Sequence, residues 1–116
     1  MHDFPYPSYL RTNRKRWALT QRELGALLGI TEEAISRYES LNRTPRPETI
    51  IGAEFVFGVH ARRLFPSLYA SVELKIAKRA VLLAESLAGL SDEESIIKRQ
   101  LLEAIAARVA GEQLNV

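Results

Sequence analysis

Residues 20–39 constrain this chain more than any other stretch. The Thr20 hydroxyl can accept one of the backbone N–H groups that have no intrahelical partner at a helix start. Glu23, three residues on, can reach back to the Thr20 backbone and complete a capping box. Leu24, Leu27 and Leu28 follow at helical spacing and are expected to form one buried face. Gly29 supplies the left-handed residue that ends a helix without a Cβ penalty. Ile30 then plugs the corner and Thr31 caps a second helix, expected over Glu32–Glu39. There Ala34, Ile35 and Tyr38 fall inward, which leaves Glu32, Glu33, Ser36 and Arg37 facing out.

Two short helices meeting steeply across a turn that contains Gly form a helix-turn-helix, whose second helix is free to enter a DNA major groove. The particular residues narrow this further. Thr20-Gln21, Leu24, Leu28-Gly29-Ile30-Thr31, Ile35-Ser36 and Tyr38-Glu39 resemble the DNA-binding domain of the lambda-repressor/Cro (Xre-type) transcriptional regulators. The resemblance extends over about residues 10–65 and implies five helices around one core. It also implies that Arg14 of the first helix forms a partly buried ion pair with Glu39, and that Gln21 holds a phosphate with its amide and main chain. Two positions depart from the family pattern. Ala18 and Leu41 stand where glycine is usual, and Ala tolerates a positive φ poorly, so the turn at Trp17-Ala18 is expected to be reshaped.

Composition sets the outer bounds. The 116 residues allow one domain, or one small domain with an extension. There is no Cys, so neither a disulfide framework nor a thiolate metal site is available. No apolar run is long enough to span a membrane, and the Met-His-Asp-Phe-Pro-Tyr-Pro start lacks the pattern of a signal peptide, so the expectation is a cytoplasmic protein of prokaryotic or phage type, with the nucleoid when DNA-bound. The net charge of +2 is unevenly placed: ten Lys/Arg against seven acids in residues 1–66, six against seven in 67–116. The basic excess therefore lies with the motif, as phosphate binding requires.

Along the chain, residues 1–8 read as an extended arm because Pro5 and Pro7 exclude a helix. Residues 9–66 form the helix-turn-helix domain, with a first helix over Tyr9–Arg16. A fourth runs over Thr49–Phe57, with Ile50, Ala53, Glu54 and Phe57 on successive turns and Ile51 and Phe55 filling the core. A short fifth covers Val59–Phe65. Residues 67–116 read as a helical hairpin. Val72, Ile76, Ala80, Leu83 and Leu87 stripe one helix that ends at Gly89. Ser91 and Glu94 offer a capping box to the next, where Ile97, Leu101, Leu102, Ile105 and Val109 form the stripe and Gly111 the stop. Val81, Leu82 and Ile96 fall off both stripes, and this surplus apolar surface suggests a dimer contact.

An all-α fold follows: a lambda-repressor-like five-helix DNA-binding domain and a C-terminal two-helix hairpin. The partners implied are double-stranded DNA and a second copy of the chain. The function implied is sequence-specific binding of an inverted-repeat operator by a dimeric, repressor-like regulator. The alternative is a protein-interaction module or antitoxin-type protein whose hairpin, residues 67–116, binds a partner protein. For base contacts the candidates are Glu32, Glu33, Ser36 and Arg37, since Arg can pair bidentately with guanine and Glu can accept from cytosine. For phosphate contacts they are Arg11, Lys15, Thr20, Gln21, Asn42, Arg43 and Arg46. No catalytic, metal or cofactor site is expected: His2 and His60 stand without an acid cluster at ligand spacing, and no phosphate-binding Gly-rich loop or nucleophile motif occurs.

Overall fold

A computed structural model describes residues 8–114, and in it every regular element is a helix. The expected N-terminal arm thus lies, except for Ser8, outside the described residues. The helices are α1 (Leu10–Arg16), α2 (Gln21–Leu28), α3 (Glu32–Ser40), α4 (Pro47–Phe57), α5 (Ala61–Leu64), α6 (Pro66–Leu87) and α7 (Glu93–Leu114). The chain divides into two compact units, Met1–Ala70 and Ser71–Val116.

In the first unit local chemistry fixes the helix ends. The Ser8 hydroxyl accepts the Leu10 N–H, and the Tyr9 N–H donates to Leu64 O at 2.7 Å, which ties the start of α1 to α5. Thr20 caps α2 through a complete capping box, and the Thr31 hydroxyl accepts from Ala34 N at 3.1 Å to cap α3. Gly29 ends α2 at φ +73°. Gly25 has a different job: a Cβ there would lie 2.6 Å from Ile30 O, so only glycine lets α2 approach the corner this closely. Pro47 opens α4 at its first position, two residues before the expected start, because proline's fixed φ suits that site and its missing N–H costs nothing there. Glu54 of α4 accepts from Ala61 N at 2.9 Å and so caps α5, a single turn shorter than expected.

The core consists of Leu10, Leu24, Ala34, Ile35, Tyr38, Ala53, Leu64 and Phe65, with Leu28, Ile30, Leu41, Ile50, Val56 and Phe57 packed on its margin. Three residues expected inside are outside. On α2 the buried arc runs through Leu24, Leu28 and Gly25, and at 100° per residue Leu27 falls beyond it, 59% exposed. On α4 the buried residues are Thr49 and Ala53, and Ile51 and Phe55 project from the opposite side, 69% and 88% exposed.

Ala18 and Leu41 also correct the expectation of a reshaped turn. Both adopt the left-handed conformation that glycine would take, at φ +57° and +54°. The surrounding contacts outweigh the Cβ clash: Leu19 N donates to Arg14 O beside Ala18, and Leu41 packs against the core.

In the second unit α6 and α7 run back along each other. The Arg99 guanidinium donates to Leu87 O at the end of α6, and Ala80 and Leu102 are buried. Gly89 turns the chain at φ +83°. Asp92, not Ser91, caps α7: its Oδ2 accepts from Ser95 N at 3.1 Å, an ionised acceptor in place of a hydroxyl. Gly111 does not stop α7, which continues to Leu114; the residue costs some helix propensity but no turn forms there. The stripe residues Val72, Ile76, Leu83, Ile97 and Leu101 remain exposed, as do Val81, Leu82 and Ile96.

Candidate nucleic-acid interface

The second helix of the motif is held by a buried polar clamp. Arg14 Nε donates to Glu39 Oε2 at 2.6 Å and Arg14 Nη2 to Glu39 Oε1 at 3.2 Å, a bidentate pair whose side chains are 9% and 5% exposed. Arg14 Nη1 donates to Leu19 O at 2.8 Å, and Gln21 Nε2 donates to Glu39 Oε1 at 3.0 Å. One carboxylate on α3 thus receives three donors, from α1 and from the head of α2. Every partner is charged or strongly polar and the ion pair at the centre is buried, so the geometry is tightly specified.

With its inner face fixed by Ala34, Ile35, Tyr38 and this clamp, α3 presents Glu32, Glu33, Ser36 and Arg37 to solvent. Glu32 and Glu33 occupy the first turn, where negative charge complements the helix dipole, and Arg37 lies in the last turn, where positive charge does. The exposed row therefore runs from acid to base along the helix.

The remaining candidates lie on α1, at the head of α2 and in the loop after α3. Arg11 and Lys15 lie one turn apart on an exposed edge of α1, the helix that carries Arg14 to the clamp. Asn42 and Arg43 are exposed in the loop after α3, and Arg46, also exposed, stands at the N-cap position of α4 with no side-chain capping bond. Arg43 lies over the Tyr38 ring, 5.6 Å from its centroid, which restrains a long side chain in the loop. Thr20 has its polar groups engaged: its hydroxyl accepts from Glu23 N and its N–H donates to Glu23 Oε1. Hydrogen bonding from Thr20 to the carboxylate, by its backbone N–H foremost and its side chain second, holds the Glu23 carboxyl below its ordinary pKa. Gln21 spends its side-chain amide on Glu39, so it offers outward its backbone N–H at the head of α2.

Sequence reasoning missed two features here. One is the Gln21–Glu39 bond, for which the only signal was a polar residue at a helix head. The other is the Arg43–Tyr38 stack, which depends on the path of a loop. Among the described residues no group of three or more His, Asp or Glu is placed to hold a metal, and no helix is long and apolar enough to cross a membrane.

Comparison with protein families matches the helix-turn-helix family to residues 10–64, from the first residue of α1 to the last of α5. Comparisons with curated proteins and with solved structures returned no match. The family match and the fold cover the same five helices. Residues 10–64 therefore form a helix-turn-helix domain of the lambda-repressor-like (Xre-type) kind, which supports a helix-turn-helix DNA-binding regulator.

Proposed function

We propose that the protein is a dimeric, sequence-specific, repressor-like regulator that binds an inverted-repeat operator in double-stranded DNA. The observation that carries this is the clamped α3: a buried Arg14–Glu39–Gln21 network fixes the helix while Glu32, Glu33, Ser36 and Arg37 stand free on its outer face. Base readout needs side chains held in register against the groove, and a helix fixed from behind supplies that. Arg37 reads a guanine, and Glu32, Glu33 and Ser36 set the neighbouring preference, with Glu favouring cytosine. Arg11, Lys15, Arg43 and Arg46, with Thr20, Asn42 and the Gln21 backbone, carry the phosphate contacts. The protein acts in the cytoplasm of a prokaryotic or phage-infected cell.

Dimerisation is assigned to the hairpin. From Ser71 on, the buried residues among those described are Ala80, Ser95 and Leu102, while Val72, Leu74, Ile76, Val81, Leu82, Leu83, Ile96, Ile97 and Leu101 are exposed. This much aliphatic surface calls for a partner. The same surface, together with two acids at the groove-facing end of α3, favours a second reading: an antitoxin-type protein whose hairpin also holds another protein.

Two substitutions test the assignment. Arg37→Ala relaxes base preference and costs about 1–3 kcal/mol on the preferred site. Arg43→Ala weakens binding to all sequences alike and flattens its salt dependence. An Arg37→Ala protein with an unchanged preferred site would overturn the role given to α3.

A further inference from the structure

The exposed face of α7 reads the same in both directions. Counting from Leu101, Ile97 lies four residues before and Ile105 four after; Glu94 lies seven before and Arg108 seven after. At 100° per residue all five fall on one stripe, beside the Ser95–Arg99–Leu102 edge that α7 turns toward α6. Ile97 and Leu101 are exposed and Ile105 is half-buried. Neither Glu94 nor Arg108 forms an ion pair within its own chain among the described residues.

From this pattern we infer that α7 of one copy packs antiparallel on α7 of a second copy, about a two-fold axis through Leu101. Two-fold contacts are isologous: if one residue meets another, the reverse contact is made as well. In this register Leu101 meets its own image, each Ile97 meets the other copy's Ile105, and each Glu94 meets the other copy's Arg108. The apolar centre is closed at both ends by opposite charges. A parallel arrangement would instead place Glu94 on Glu94 and Arg108 on Arg108.

The other helix of the hairpin agrees with this axis. Ala80 and Leu102 are both buried between the helices, and Arg99 reaches Leu87 O. These pairings bring Leu83 level with Leu101. Leu83, Ile76 and Val72 are exposed and fall on the same side of the hairpin as the α7 stripe. One two-fold axis therefore stacks α6 on α6 and α7 on α7, which makes a four-helix bundle of two hairpins. The opposite side of the hairpin, lined by Val81, Glu85 and Glu103, stays outside it.

The inference rests on the reading that the hairpin dimerises, and the test separates the two. The full chain contains no Cys, so Leu101→Cys and, on the opposite side, Val81→Cys each introduce a single thiol. A short bismaleimide linker is expected to join Leu101→Cys chains into covalent dimers and to leave Val81→Cys chains single. Light scattering after gel filtration then reads the charge pairs. Glu94→Arg and Arg108→Glu each place two like-charged contacts in the dimer, raising its dissociation constant about tenfold or more, and the double exchange restores it. A dimer that cross-links equally at both positions, or is indifferent to the exchange, overturns this register and leaves dimerisation intact. A wild-type chain that stays monomeric at high concentration overturns both.

Discussion

Removing both ends of the Arg14–Glu39 pair should cost less than the two single removals added together. In Glu39→Gln one oxygen still accepts, but the new amide N–H2 group faces donors: Arg14 Nε, Arg14 Nη2 and Gln21 Nε2 all point at this carboxylate. The Arg14 guanidinium, in a side chain 9% exposed, would then keep its charge with no counter-charge. Stranding a buried charge costs about 3–5 kcal/mol. Arg14→Met leaves the Glu39 carboxylate with the Gln21 amide alone and should cost a similar amount. A unit the size of Met1–Ala70 is stabilised by about 3–10 kcal/mol in total, so either single variant is close to unfolded. In Arg14→Met/Glu39→Met neither charge remains and the methionines fill much of the volume. Only Leu19 O and the Gln21 amide lose a partner, at about 1–3 kcal/mol each at most, since both lie near the surface. The double variant should therefore be more stable than the sum of the singles by about 2 kcal/mol or more. The assay is urea unfolding followed by helix circular dichroism, with all four proteins at one concentration, because a dimer's stability depends on it. Costs that simply add, or single costs below about 1 kcal/mol, would refute the clamp as the element that fixes α3.

Two further predictions address the helix ends. Ala18→Gly should stabilise the protein by about 1 kcal/mol in the same urea assay, because φ +57° is free of Cβ strain only for glycine; Leu41→Gly should not match it, since Leu41 also packs on the core. Thr20→Ala should cost about 1 kcal/mol through loss of the α2 cap. Glu23→Gln should change the acid dependence of stability. The Glu23 pKa is lowered in the folded state, so its contribution is present above the ordinary carboxylate pKa and is lost as pH falls through the lowered value. Wild type should therefore lose more stability than Glu23→Gln, which has no titrating group there, on acidification through that window, and parallel pH profiles would contradict this origin of the shift.

How much of the molecule was legible depended on how local its causes were. Thr20 with Glu23, Thr31 and Gly29 declare two helix boundaries because each acts within one turn. Leu24, Ile35 and Tyr38 declare an inner face because the polar residues between them leave only one stripe apolar. In α4 the apolar residues Ile50, Ile51, Ala53, Phe55, Val56 and Phe57 surround the helix, so periodicity cannot say which flank is covered, and Ile51 and Phe55 emerged on the outside. Ala18 and Leu41 were misleading for another reason: propensity disfavours their conformation, but packing and hydrogen bonds elsewhere hold it. On α7 an acid and a hydroxyl competed one position apart for a single cap, and Asp92 won. At the site, the outward row of α3 follows from the inner one. The use of the Gln21 amide inside the clamp does not, because it depends on where three helices meet.

The most direct measurement is selection of bound sequences from random duplex DNA with the full-length protein at a low and a near-physiological salt concentration. The account requires an inverted repeat at both, with half-sites about one helical turn, roughly 34 Å, apart. A guanine should stand where Arg37 reads, and affinity should fall steeply with salt. Binding confined to low salt with no consensus would contradict sequence-specific recognition by α3 and leave phosphate contact alone.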